Sequence, residues 1–353
     1  MMMRGRTLRA MTRRLNRAMS SAKRPIVPIV DLTDEAKASV ELEQAFSTFG
    51  CCYLRGHGID TAQESRVMNA AKAYFGLPEQ VKEAYHRHTT TDGFVRGYIG
   101  IGAESGSEDL FEVKEGFSYG YEWDAAKPPT NPLQGPNVWP TELDKPHQRE
   151  LQTFYTDMVG VSNALCRALS RALDKPPSYL GSYCTEGDTI SIMRSFHYFP
   201  YSIMGQDDKR DLSTLIGSSP HTDWGFLTLI LQDEIGGLQL YHQDAWHDVP
   251  HIPGTVFVNG GDYLSLLTQK RWKSPIHRVV NHPTEERISM VLFYYPNFDA
   301  AIPVSASPSS SPSSLDKFNT LLDQLPTSSS SSELDVSFGA YICSKWALVQ
   351  RST

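Results

Sequence analysis

The stretch "SSPHTDWGFLTLIL" (Ser218–Leu231) sets His221 and Asp223 two residues apart, just ahead of an apolar run. On an extended chain, residues i and i+2 point to the same side, so an imidazole nitrogen and a carboxylate oxygen converge on one point. Alone the pair says little, because His-x-Asp recurs by chance. A third ligand changes its meaning. Among the eleven histidines, His277 is the best placed: "SPIHRVVN" sets it at the head of a β-branched run, where a neighbouring strand could lie beside His221. His86 and His88 fall in a polar loop, and His147, His242, His247, His251 and His282 stand near turns. Two histidines and one carboxylate can hold an octahedral Fe(II) by one face and leave three adjacent positions for a bidentate cosubstrate and O2. Zinc hydrolases use the same ligand types, so the triad by itself does not choose the metal.

Ten residues beyond His277, "RISMVLFYYP" places Arg287 and Ser289 at i and i+2 of an apolar strand. A guanidinium inside such a strand needs an anionic partner, and a bidentate carboxylate supplies one. An acid from the protein would serve. So would a dicarboxylate that chelates iron at one end and reaches Arg287 at the other, which describes 2-oxoglutarate.

These residues have to be held by a scaffold of sufficient size. The 353 residues suffice for a large core, in one elaborate domain or two intimate ones. Apolar residues make up 40% and charged residues 21%, the balance of a soluble globular chain, and no apolar run approaches a membrane span. The net charge of −7 argues against a nucleic-acid-binding surface. That charge is unevenly spread. The first 30 residues carry eight bases and no acid, leaving 25 bases against 40 acids in the rest. Leu8, Met11, Leu15 and Met19 share one helical face opposite Arg6, Arg9, Arg13 and Arg17, the pattern of an import presequence. The expected location is cytoplasmic, or mitochondrial if residues 1–24 act as such a leader. The five cysteines include no CxxC and suit buried free thiols in a reducing compartment.

Periodicity predicts the elements. "PIVPIVDL" reads as a strand. Asp34–Phe49 reads as a helix with Val40, Leu42, Ala45, Phe46 and Phe49 as its apolar positions. Cys51–Leu54 is a strand, and "AQESRVMNAAKAYF" a second helix. His86–Pro146 is polar and rich in Gly and Pro. A long helix follows, carried by Leu151, Phe154, Tyr155, Met158, Val161, Leu165, Leu169 and Leu173. From Thr189 short strand-like runs alternate with turn residues, as in a sandwich or barrel. The expected fold is α+β: a helix-rich N-terminal region and a strand-rich core closed as a sandwich or barrel. The expected divisions are a leader at 1–24, an N-terminal region at 25–150, the long helix and core at 151–302, a Ser/Pro-rich insertion at 303–334 and a C-terminal helix at 335–353. Within the insertion, Leu315, Phe318, Leu322 and Leu325 are spaced as one short amphipathic helix that could serve as a lid.

Several ordered motifs now coincide. They are "AFSTFGCCYLRGHGI", "RGY", "KEGFSYG", "NVWP", "MRSFHYFP", HTDWGFLTLIL, GGLQLY, TVFVNGGD, SPIHRVVN and RISMVLFYYPNFDA. Together they resemble the isopenicillin N synthase-like Fe(II)/2-oxoglutarate-dependent dioxygenases over about Pro25–Ile302 and the last helix. The resemblance implies that this core is a double-stranded β-helix, a jelly roll, behind the helix-rich N-terminal region. It implies that His221, Asp223 and His277 bind iron, and that Arg287, Ser289 and Tyr198 hold the distal carboxylate of 2-oxoglutarate. Family members in plants usually carry Asn two places before that tyrosine; Phe196 stands there in this chain. Asn281 and Phe293 match family positions near the site, and packing explains them equally well. Phe196, Phe293 and Tyr295 are the candidate substrate-lining residues. The implied reaction hydroxylates, desaturates or cyclises a small organic molecule, consuming O2 and releasing succinate and CO2. Two rival readings are an oxidase of the same fold that does not consume 2-oxoglutarate, as isopenicillin N synthase itself is, and a binding protein with an inactive site. A monomer with no nucleic-acid or membrane partner is expected. "GYIGIGAESG" lacks the Lys-Ser/Thr of a phosphate loop, and no HExxH or GxSxG occurs.

Overall fold

The computed structural model describes residues 25–86, 96–104, 109–124, 126–184, 190–203, 210–303 and 337–349. The basic leader and the lid helix expected at 315–325 lie outside them, as does all but the first residue of the Ser/Pro-rich stretch.

Three aspartates start the three long helices. Asp34, Asp60 and Asp144 each accept a backbone N–H from three residues on, at 3.1, 2.7 and 2.9 Å. Each such cap contributes about 1 kcal/mol. They begin α1 (Glu35–Thr48), α2 (Thr61–Phe75) and α4 (Lys145–Ala172); α3 (Glu79–Ala84) is a short turn between the last two. The cap at Asp144 and Pro146 in the first turn start α4 six residues before Leu151, the first apolar residue of the predicted helix. In α1, Leu42, Ala45 and Phe46 are buried as expected, whereas Val40 lies on the far side of the helix, 60% exposed.

Fourteen strands form three sheets among the described residues. The large sheet contains β1 (Ile29–Asp31), β2 (Cys51–Arg55), β12 (Val256–Gly260), β9 (Leu227–Gln232), β14 (Arg287–Tyr294), β6 (Ile192–Tyr198), β5 (Lys114–Gly120) and β3 (Gly97–Ile99), side by side in that order. All its pairings are antiparallel except β1 with β2. The small sheet has the order β11 (Ala245–Asp248), β10 (Leu238–His242), β13 (His277–Val279), β8 (Ser218–His221). A two-strand pair joins β4 (Phe111–Glu112) to β7 (Leu215–Ile216). Three of these strands, β3, β4 and β5, lie in the stretch that read as polar loop. Glycines and charged residues dilute their apolar signal, and β5 is nevertheless buried almost throughout.

The large sheet alternates strictly between two interiors, as the two-residue strand period demands. Cys52, Leu54, Leu229, Val258, Met290 and Leu292 face the helices and join the core built with Leu42, Phe46, Val67, Leu151, Phe154 and Leu165. Burying each of the larger side chains there contributes about 2–3 kcal/mol. The residues between them, Tyr53, Ile230, Phe257 and Val291, face the other way and pack with Leu238, Leu240 and Val279 of the small sheet. Two sheets closed on each other in this way, with helices on the outside, form the jelly roll expected from the sequence. After the short helix α5 (Asp262–Leu267), the last helix, α6 (Phe338–Val349), returns to the body through a bridge from Ser337 to Ala301 and buries Phe338, Tyr341, Ile342 and Trp346.

Candidate metal and cosubstrate site

β8 and β13 are antiparallel neighbours, and their register pairs His221 directly with His277. The imidazoles are 4.2 Å apart, centroid to centroid. Asp223 follows in the loop leaving β8. Its Oδ1 lies 3.8 Å from His221 Nε2 and its Oδ2 lies 3.7 Å from His277 Nε2. These three residues are the one His/Cys/Asp/Glu group among the described residues whose ligand atoms all lie within 4.8 Å of each other.

Neighbours fix their orientation. His221 Nδ1 is 2.7 Å from the Ser219 carbonyl, and His277 Nδ1 is 3.1 Å from that of Pro275. Each Nδ1–H donates to its carbonyl, which leaves both Nε2 lone pairs facing Asp223. Burial and the facing His277 imidazole hold the His221 pKa down at about 4 against the pull of Asp223, so His221 is neutral at pH 7. A metal ligand must be in that state. Asn259 Nδ2 donates to Asp223 Oδ2 at 3.2 Å, and the Asp262 N–H donates to the Asp223 carbonyl at 2.8 Å. This cradle needs glycine: a Cβ on Gly261 would sit 2.1 Å from the Gly225 carbonyl oxygen. Thr222 turns aside and donates to Asp262 Oδ2. The "VNGGD" stretch therefore steadies the Asp223 carboxylate, a role its composition does not advertise.

The triad opens into a cavity between the two sheets, about 970 Å³ including its mouth. Along β14, Arg287, Ser289, Val291, Phe293 and then Tyr295 line it at every second position. Arg287 lies at one end, 1% exposed. Its Nη2 donates to Gln232 Oε1 at 2.9 Å, whereas its Nε and Nη1 have no partner, and neither does Ser289 Oγ. No acid lies within ion-pairing distance of Arg287 among the described residues. Tyr198, paired with Arg287 across β6 and β14, presents its ring 4.6 Å from the guanidinium. Lys114 lies beside Tyr198 and is ion-paired with Glu112. Burial alone would lower its pKa, but Glu112 outweighs burial and raises it, so the ammonium stays charged. Glu112 also accepts the Ser219 N–H at 2.8 Å and so ties the ion pair to β8.

All nine site residues expected from the sequence thus line one cavity. Phe196, Phe293 and Tyr295 are on its wall, and Phe196 is capped by Lys114 Nζ at 5.1 Å. Asn281 is structural: its amide bridges the carbonyls of Val113 and Phe199. Lys114, Gln232, Asn259, Arg194 and Trp346 escaped the sequence reading. Arg194 shares the face of Phe196 and Tyr198 at two-residue spacing, a signal that was available.

Residues 27–142 match the family model of the non-haem dioxygenase N-terminal region named for morphine synthesis, and residues 189–296 match that of the 2OG-Fe(II) oxygenase superfamily. A 2-oxoglutarate-Fe(II) type oxidoreductase of Emericella nidulans is 34% identical over 75% of this chain and 76% of its own. The chain belongs to the 2OG-Fe(II) oxygenase superfamily. A clavatol oxidase of Penicillium crustosum is 32% identical to this oxygenase, over 77% of this chain and 86% of its own. The full-length T7H of Neurospora crassa, solved with alpha-KG and thymine, matches the fold with a TM-score of 0.70, covering 93% of this chain and 98% of that one at 22% identity. The chain is therefore an enzyme whose cofactor is Fe(II) and whose cosubstrate is 2-oxoglutarate, and the reading that consumes 2-oxoglutarate stands over the oxidase alternative.

The residues present suit both groups. Three ligand atoms converge with their outer nitrogens already fixed, and a buried guanidinium keeps two donors unpaired beside an unpaired hydroxyl. Buried donors without partners are costly in a finished structure and are expected where a ligand completes them.

Proposed function

We propose that His221, Asp223 and His277 hold Fe(II), and that Arg287, Ser289 and Tyr198 hold the distal carboxylate of 2-oxoglutarate, so that the enzyme oxidises a C–H bond of a small organic molecule. The observation that carries this reading is the pair of unpartnered Arg287 nitrogens at one end of the cavity that the triad opens into. Bound iron supplies the activation of O2 and the oxidising power. The chain supplies the rest. Arg287 and Ser289 would fix the cosubstrate by its far end, which sets the angle of its near end at the metal. Gln232 holds the guanidinium plane from behind. The apolar wall of Ile230, Leu238, Val279 and Val291 keeps water from the middle of the cavity. Phe293, further along β14, and Tyr295, just beyond its end, would face the substrate.

The enzyme is expected to act as a monomer on a small molecule. No described helix is long and apolar enough to cross a membrane. Succinate release, screened across small-molecule classes with iron-loaded enzyme, tests the reading. One equivalent of succinate per substrate consumed supports it. Substrate loss without succinate would contradict it.

A further inference from the structure

The loop that carries Asp223 is gripped from two sides. On one side stands α5. The Asp262 N–H donates to the Asp223 carbonyl at 2.8 Å, the Tyr263 N–H donates to that of Gly225 at 3.1 Å, and Thr222 Oγ1 donates to Asp262 Oδ2 at 3.1 Å. On the other side stands α6. Trp346 meets Trp224 edge-on at 5.6 Å, and Lys345 Nζ lies 5.9 Å from the centre of the same Trp224 ring. The two helices also touch each other, with Tyr263 against Phe338 at 5.6 Å. Two buried charges belong to this junction: Asp262 is 2% exposed and Lys345 4%. Asp262 Oδ1 takes no hydrogen bond among the described residues, so that side of the carboxylate relies on charge alone. Lys345 supplies it. Burial lowers the Lys345 pKa, and the negative charge of Asp262 pulls it back up.

We propose that Lys345 is a positioning residue for the metal site: it balances Asp262 and braces Trp224, so that the loop Thr222–Gly225 presents the Asp223 carboxylate to iron when α6 is docked. The proposal rests on the reading that His221, Asp223 and His277 hold Fe(II). A buried carboxylate that loses its counter-charge is strongly destabilised and shifts toward whatever can compensate it. Asp262 cannot shift without disturbing its bonds to Thr222 and to the backbone of Asp223. Lys345 therefore acts on the ligand through one intervening side chain, as residues that orient a metal ligand do. The coupling is reciprocal: if a docked α6 favours iron, bound iron favours a docked α6.

Two measurements on the full chain test it. The first is the anaerobic Fe(II) Kd. Lys345→Met should weaken Fe(II) binding about tenfold or more. Replacing both charges, Lys345→Met with Asp262→Asn, should restore it to within about threefold of wild type, because asparagine still accepts the Thr222 hydroxyl and no lone buried charge remains. A merely structural role would lower the melting temperature of Lys345→Met and leave its Fe(II) Kd unchanged. The second measurement uses wild type alone, so it stands even if Lys345→Met fails to fold. Adding Fe(II) should slow amide hydrogen exchange in α6 about fivefold or more beyond any slowing in α2, which lies away from the metal loop. Wild type that binds no Fe(II) would overturn the metal reading and this inference with it. Where wild type binds Fe(II), an unchanged Kd in Lys345→Met, a double variant no better than the single one, or exchange in α6 that does not respond to Fe(II) would each overturn this inference alone.

Discussion

Neighbouring residues of β6 bury polar groups on opposite faces of the large sheet, and the two faces treat them differently. His197 points toward the helices. Its Nδ1 meets Glu115 Oε1 at 2.8 Å, and the other Glu115 oxygen accepts Lys82 Nζ at 2.6 Å and Tyr98 OH at 2.7 Å. Four elements, α3, β3, β5 and β6, are joined by one saturated carboxylate. Tyr198 points the other way, into the cavity, beside an arginine with two unpaired nitrogens and a serine with an unpaired hydroxyl. Both faces bury charge in the same strands at the same depth. The outer network is complete and serves the fold; the inner one is left incomplete for a ligand. Of these two networks, the one whose donors lack partners is the one placed to receive a ligand.

The largest effect should come from breaking the inner face at the metal. Asp223→Ala should abolish iron binding and iron-dependent turnover while leaving the melting transition cooperative, because the residue lies in a loop at the end of β8; this is read by metal analysis and circular dichroism. Arg287→Ala should weaken 2-oxoglutarate binding by about 3 kcal/mol, roughly a hundredfold in Kd, with iron affinity retained. The outer face should respond in the opposite sense. Glu115→Gln should cost about 3 kcal/mol of folding stability in urea titration and leave the 2-oxoglutarate Kd unchanged. Burial pushes the Glu115 pKa up, but hydrogen bonds from His197, Lys82 and Tyr98 outweigh it and lower the pKa below its usual 4.5. The stabilisation is therefore full above about pH 4.5 and is lost as pH falls through the folded value, so wild type and variant should converge in acid.

A smaller effect belongs to Asn259→Ala, which removes the amide donor from Asp223 and should lower iron affinity about tenfold. The smallest belongs to Val40→Lys, on the exposed side of α1. It should move stability by no more than about 0.5 kcal/mol, because the residue touches neither interior.

How much of this was readable from the sequence differs between the same two faces. The candidate ligands and the Arg287–Ser289 pair stood out because polar residues at two-residue spacing inside apolar runs have few structural uses. A sandwich or barrel followed from the strand rhythm after Thr189, and the ordered family motifs narrowed it to a jelly roll. The outer network was not legible: Lys82, Tyr98 and Glu115 meet only through tertiary packing, and two of them lie in or beside a stretch whose glycines hid three strands. Asn259 was quoted within a motif, but its hydrogen bond depends on the close approach of Gly261 to Gly225. Arg194 had the right spacing, but its partners were not legible: Glu104 and Trp346 are 90 and 152 residues away in the chain.

In the proposed site, Fe(II) on the triad and the guanidinium of Arg287 hold the two ends of one 2-oxoglutarate. The most direct test of this is anaerobic titration of 2-oxoglutarate into Fe(II)-loaded protein, following the weak visible charge-transfer absorption of the chelate. Wild type should develop the band, Asp223→Ala should not, and Arg287→Ala should develop it only at roughly hundredfold higher 2-oxoglutarate. No band in wild type, or the same titration midpoint in Arg287→Ala, would contradict the account.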